Sequence, residues 1–334
     1  MNNAEATLQR LKASVGLHDH RGREADRPTD IPARGWRDVL WRAWKQSSED
    51  NVGILAGGVT YGVLVALFPG LAALVAIFGL IADPAVIQQQ VNSLAGVMPG
   101  EAQKLIGSEL QQLASHSGTA LSIGAVVGFV AALWSASRGM SAMVSALNIT
   151  YGERETRGLV RFNLVVLALT IGAIAGGLIG IGLIAGVPAF VGMMHVGQTT
   201  KWFVFILEWP LLIVLMMLAL AVLYRFAPNR NGPQWRWISP GALAATLVWL
   251  IASLLFMVYV SHFGNYDATY GSLGAIIVVL TWLYLSAYLV LLGAEINAEA
   301  ERQTGKDTTV GAPKPIGQRG ARAADTVGPP AETS

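Results

Sequence analysis

Two acidic residues lie inside long apolar stretches: Glu208 within 202–226 and Glu295 within 271–297. An ionisable side chain at membrane depth is costly, which makes it a candidate for substrate contact or a proton path. Glu295 ends a polar stripe, because Gly274, Thr281, Tyr288 and Glu295 recur every seven residues. On an ideal helix that spacing drifts by only about 20° per step, so the four share one face, which Tyr284 joins. The preceding apolar segment offers Thr246 and Ser253, with Trp249 and Phe256 beside them. Facing inward, Thr246, Trp249, Ser253, Thr281, Tyr284 and Tyr288 would line a path with hydroxyls and aromatic surfaces. The alternative is that these groups satisfy one another, or backbone carbonyls, in a packed bundle. Arg138, Arg157 and Glu295 are the candidate cytoplasmic gate or anion site, with Arg161 a further partner for Glu295.

Other chemistries lack their residues. The chain has no Cys, which excludes thiolate metal sites, disulfides and Cys nucleophiles. The five His, at 18, 20, 116, 195 and 262, are scattered, and nothing completes a site around the His18-x-His20 pair. No H-E-x-x-H or phosphate-binding glycine loop occurs. The expectation is a non-enzyme with no cofactor, no metal and no intrinsic ATPase activity. The short 151–161 loop carries both signs of charge, which does not favour nucleic acid.

The elements that must position these residues are membrane helices. Of 334 residues, 53% are hydrophobic and 13% charged. A soluble domain carries about 25% charged residues, and the mean hydropathy here is +0.49. Six stretches are apolar enough to cross a bilayer, about 52–82, 119–135, 162–191, 202–226, 239–262 and 271–297. A crossing helix needs roughly 20 such residues. Pro69-Gly70 predicts a kink in the first. Gly172, Gly176 and Gly180 give the third a small-residue stripe of the kind that packs helices closely. Ser239 reads as the N-cap and Pro240 as the first helical residue of the fifth. Between the first two crossings, 83–118 reads as two amphipathic helices broken at Met98-Pro99-Gly100. Trp36, Leu40 and Trp44 place another amphipathic helix at 35–45, lying in the membrane interface or packed on the bundle.

Of the 23 Lys and Arg, all but Lys104 and Lys201 fall on one side of this arrangement. Cytoplasmic loops carry the Lys/Arg excess, so both termini are expected in the cytoplasm. The expected fold is all-α: a polytopic bundle of six transmembrane helices, N-in/C-in, with the two amphipathic helices on the outer side. Its domains are a disordered tail over 1–32, a membrane domain over 33–302 and a second disordered tail over 303–334. No apolar stretch precedes Pro32, so the spans themselves must drive insertion.

Several of these residues form motifs. They are Leu67-Phe68-Pro69, Leu133-Trp134-Ser135-Ala136-Ser137-Arg138-Gly139 and Ala146-Leu147-Asn148 with Tyr151, Glu155 and Arg157. Pro228-Asn229, Tyr270-Gly271-Ser272-Leu273-Gly274, Trp282-Leu283-Tyr284 and Gly293-Ala294-Glu295-Ile296-Asn297-Ala298 complete the set. Together, over about 35–300, they make the chain resemble the YihY/BrkB-like inner-membrane proteins. One departure is Ala56-Gly57-Gly58-Val59-Thr60-Tyr61-Gly62, where that family tends towards an Ala-rich stretch with paired Tyr. The resemblance implies an integral protein of the bacterial cytoplasmic (inner) membrane. Family members have carried ribonuclease and serum-resistance labels and suggestions of lipid export. The expected function is transport or flipping of a lipid-like or amphiphilic solute, with membrane lipids as partners and a homo-oligomer as an allowed assembly. The alternative is a non-transporting scaffold that binds envelope proteins through 83–118.

Overall fold

The computed structural model describes residues 21–81, 119–187, 191, 197–263 and 273–331. Eight α-helices occur among them. They are α1 Ala33–Glu49, α2 Val52–Ile81, α3 Thr119–Thr150, α4 Leu159–Ile181, α5 Gln198–Phe226, α6 Trp235–Phe263, α7 Leu273–Glu301 and the short α8 Arg322–Asp325. A π-helical turn, Gly182–Gly186, extends α4. No strand forms among the described residues; the one β-contact is an isolated bridge between Pro233 and Thr309. The amphipathic helices expected over 83–118, the linker 264–272 and His18 and His20 lie outside the described residues.

Four segments are long and apolar enough to cross a membrane: Leu159–Ile184, Ile206–Phe226, Trp235–Val260 and Ile276–Glu301. Val52–Ala66 adds a shorter apolar helix. The outward faces of these helices expose Ile251, Leu254, Leu255, Met257 and many similar side chains. Water would penalise so large an apolar surface, whereas lipid covers it, and each helix closes its own backbone bonds as lipid requires.

The helices meet where side chains vanish. A Cβ on Gly62 would lie 3.0 Å from the Gly139 Cα, so α2 and α3 cross backbone to backbone. A Cβ on Gly241 of α6 would overlap the Gly293 carbonyl of α7. The core between them includes Val59, Val144, Leu147, Leu220, Tyr224, Ala245 and Leu291. Tyr224 Oη donates to the Val290 carbonyl at 2.7 Å, tying α5 to α7.

Four local expectations need correcting. The stretch 119–150 is one unbroken helix, since Ser137-Arg138-Gly139 meets Gly62 and continues rather than stopping. Helix α6 begins at Trp235, which puts Pro240 inside it and makes Ser239 no cap. Pro240 has no N–H for the Arg236 carbonyl, and the Ser239 hydroxyl donates to that oxygen instead, at 2.8 Å. The glycine stripe of α4 packs within the chain only at Gly180, where a Cβ would meet Leu215 of α5 at 3.8 Å. A Cβ on Gly172 or Gly176 would meet nothing within 4 Å.

The last correction is the largest. Residues 303–331 are not a loose tail but a folded strap across one end of the bundle. Arg319, 4% exposed, donates to the carbonyls of Gly305, Lys306, Lys314 and Ala324. Gln234 N donates to Thr308 O, and Val310 N to Gly232 O. Residues 21–31 interlock with the strap: Gly305 N donates to Arg23 O, and Lys306 pairs with Asp26 at 2.7 Å. A composition rich in Gly, Pro and Thr conceals this order, because polar bonds hold the strap rather than apolar burial.

Helix α1 lies between strap and bundle. It buries Asp38, Val39, Arg42 and Ala43 and leaves Leu40 and Trp44 exposed. Arg42 is the anchor. Its Nε donates to Glu299 of α7 at 2.5 Å, and its Nη2 to Gln303 Oε1 at 2.8 Å. Its Nη1 donates to the Pro329 carbonyl at 2.9 Å.

Candidate functional site

The six path candidates divide between two places. Thr281 and Tyr284 of α7 line an open groove of about 420 Å³ with Gly57, Thr60, Tyr61 and Leu64 of α2. A Cβ on Gly53 would come within 3.1 Å of Tyr284 Oη, so small residues on α2 make room for that ring. Tyr284 stacks on Tyr288, with ring centroids 6.4 Å apart. Thr60 and Thr281 each return their hydroxyl hydrogen to the carbonyl four residues back, Ala56 and Ile277. Their oxygen lone pairs stay available, which gives an apolar groove a few acceptors.

The α6 candidates do not line this groove. Thr246 is buried and donates to the Ala242 carbonyl at 2.8 Å. Trp249 Nε1 donates to Ser286 Oγ at 2.9 Å, and its ring meets Trp282 edge-on at 5.8 Å. Ser253 is half-buried further along α6. For Thr246 and Trp249 the self-satisfied packing is what the geometry has.

The gate candidates are not brought together. Arg138 is exposed on α3. Arg157 clasps Glu155, through Nε at 2.8 Å and Nη2 at 2.5 Å, and donates to the Ala227 carbonyl at 2.9 Å. The Arg157 guanidinium, outweighing partial burial, holds the Glu155 carboxyl below its usual range. Glu295 pairs with neither arginine. It is 0% exposed, and no donor reaches either of its oxygens.

Asp50, at the α1–α2 junction, is a second carboxyl close enough to act on Glu295. Burial pushes the Asp50 carboxyl above its usual range, against a bond from Gln46 at 3.0 Å. Glu299 and Arg302 are the charged neighbours of Glu295 on its own helix. Tyr151, whose hydroxyl burial pushes upward, is a further neighbour of Glu295. Asp50 carries no sequence signal of this role, because it sits in an ordinary polar turn before an apolar helix.

Sequence reasoning also missed two ion pairs. Arg42–Glu299 is closed at 2.5 Å and Arg230–Glu301 at 2.6 Å, the latter with both side chains 0% exposed. Glu301 also accepts from Thr308 of the strap, at 2.7 Å. The partners are 257 and 71 residues apart, so spacing could not join them. Glu208 is buried within α5. No group of three or more metal-ligating side chains forms among the described residues.

Long apolar helices, lipid-compatible outer faces and ionisable groups gathered at one end define an integral membrane protein of the helical class. The chain belongs to the family described as virulence factor BrkB, which it matches over residues 43–316. It is 35% identical over 251 residues to a protein of Bacillus subtilis (strain 168) named as ribonuclease-like, YfkH, covering 72% of this chain and 86% of the relative. It is 28% identical over 262 residues to the UPF0761 membrane protein IL2447 of Idiomarina loihiensis, covering 76% and 87%. A UPF0761 membrane protein of Paraburkholderia xenovorans, Bxeno_A3061, is also 28% identical, and there the chain spans 58% of the relative's length. No solved structure matches the chain.

Proposed function

We propose that this chain is a transporter or flippase of a lipid-like or amphiphilic solute in the bacterial cytoplasmic membrane, without intrinsic ATPase activity. It crosses six times with both termini cytoplasmic. The four long apolar helices, the shorter one at Val52–Ala66 and the one-sided distribution of Lys and Arg support that topology. The observation that carries the function is the α2–α7 groove. It is about 420 Å³, open along its length and almost wholly apolar, with Thr60, Tyr61, Thr281 and Tyr284 as its few polar points. That is the lining an acyl-bearing solute needs, since chains partition into apolar walls while a polar head requires only scattered hydrogen-bond partners. The Asp50–Glu295 pair at the cytoplasmic end offers a proton-binding step for coupling.

Reconstitution tests this. Liposomes holding the purified protein are loaded with fluorescent short-chain lipids and amphiphiles, and transfer between leaflets is followed by quenching. Transfer above empty vesicles is expected, falling at least several-fold when Thr281→Trp and Gly57→Trp fill the groove. Wild-type rates equal to empty vesicles across a broad lipid panel would sink the reading.

A further inference from the structure

Four arginines surround a cavity of about 350 Å³ where α4 begins and α5 ends: Arg157, Arg161, Arg225 and Arg230. Asn229 joins them, and no carboxylate is among the lining residues. Two of the four charges are spoken for, Arg157 by Glu155 and Arg230 by Glu301. The other two are not. Arg161 is exposed and makes no ion pair among the described residues. Arg225 reaches only the Pro233 carbonyl, with its guanidinium 4.5 Å from the Trp235 ring centroid and 5.7 Å from that of Phe226. The wall therefore carries about two uncompensated positive charges.

Arg230 turns its guanidinium away from the cavity, to Glu301 at 2.6 Å and to the Tyr151 ring, whose centroid is 5.1 Å away, so the free charge is that of Arg161 and Arg225. The local field is also unrelieved, because Arg157 and Arg161 flank the first turn of α4, the positive end of its dipole.

Depth names the chemistry. The cavity lies where the spans Leu159–Ile184 and Ile206–Phe226 end. Leu159 and Val160, 82% and 76% exposed, stand beside it as lipid-facing surface. Phe226 and Trp235 lie at the same level, where interfacial aromatics sit. Arginine forks match phosphate oxygens, and basic pockets at the cytoplasmic ends of membrane helices hold anionic headgroups.

We propose that this arginine cavity binds the phosphate of an anionic membrane lipid, with Arg161 and Arg225 supplying the charge. The proposal requires only that the chain spans a membrane, not that it transports. The site is separate from the α2–α7 groove, since the two share no lining residue.

Native mass spectrometry of the full chain, gently delipidated in detergent, tests it with three probes: phosphatidylglycerol, phosphatidylcholine and inorganic phosphate. Wild type is expected to retain phosphatidylglycerol over phosphatidylcholine, and retention should weaken with salt. Arg161→Gln/Arg225→Gln should lower apparent affinity by about 10- to 30-fold, from two charges near the surface. A charge-matched control on α1, Arg34→Gln/Arg37→Gln, should leave it unchanged. Arg161→Gln alone, which breaks no bond in the fold, guards against misfolding of the double variant and should lower affinity about 5-fold. Equal retention of both lipids would overturn the proposal, as would arginine variants no weaker than the control. Tight binding of inorganic phosphate with no preference for lipid would overturn the lipid assignment.

Discussion

Replacing Arg42 with leucine should unlock the strapped end of the bundle. Arg42 is 4% exposed and joins three parts of the chain: α1, which carries it, Glu299 on α7, and the strap through Gln303 and Pro329. Leucine leaves Glu299 buried with Arg302 as its remaining ion-pair partner, and leaves three further acceptors, the Glu299 and Pro329 carbonyls and Gln303 Oε1, without their donor. Breaking a buried pair from one side costs about 3–5 kcal/mol, most of it from stranding the other charge. At about 2–4 °C per kcal/mol for a mid-sized chain, the melting midpoint should fall by about 6–20 °C. Tryptophan fluorescence during heating in detergent reads this directly, and limited proteolysis should show new cleavage within 303–331. The double variant Arg42→Leu/Glu299→Leu removes both charges and should recover most of the loss. A single-variant shift below about 2 °C, or a double variant as unstable as the single, would refute the account of Arg42 as a buried anchor.

Other tests reach different parts of the molecule. Acid should release the strap. Burial alone would raise the carboxyls of Asp38, Asp307 and Asp325, but backbone amides outweigh it, joined by guanidinium groups at Asp38 and Asp307, and hold all three below the usual aspartate value. A carboxyl depressed by folding stabilises above its unfolded value and loses that contribution as pH falls through the folded one, so proteolysis within 303–331 should rise below about pH 4. Asp50 has the opposite sign. Its raised carboxyl costs stability as pH climbs past the unfolded value, so Asp50→Asn should raise the melting midpoint at pH 7 and change little at pH 4. Gly293→Ala puts a Cβ 2.5 Å from Tyr224 Oη and should cost about 1–3 kcal/mol. Gly172→Ala, which meets nothing within 4 Å, should be neutral or better, and equal melting of the two would contradict the close crossing.

The parts of this fold that are legible in the sequence are those set by local averages. Apolar runs long enough for a bilayer announce α4, α5, α6 and α7, because lipid imposes one rule on every residue of a span. The α7 stripe is legible for the same reason, and two of its members, Thr281 and Tyr284, do reach a groove. What faces them is a relation between helices, and a one-dimensional pattern holds no record of it. So α2 rather than α6 supplies the opposite wall. The Arg157–Glu155 clasp is two residues long, yet the sequence offered Glu295 as an equally good partner. Pro240 reads as a helix start because its missing N–H is harmless there; Ser239 makes it harmless one turn later. The strap was hidden because low hydropathy tells of weak apolar burial, and Arg319 orders its segment through four carbonyls instead.

The anchoring of α1 sets an order of events during synthesis. Helix α1 leaves the ribosome before α2 to α7, but Arg42 must wait for Gln303, 261 residues later, and for Pro329, 287 residues later. At about 5–20 residues per second, that interval is on the order of 15–60 s. Until then Arg42 lacks those two partners, while Asp38 can already pair with Arg21 at 2.8 Å and Glu299 arrives with α7. The helices of the bundle are therefore made before the strap that closes over α1. A chain stopped after α7 would keep every span and still leave its N-terminal helix without the Pro329 and Ala331 contacts that hold it.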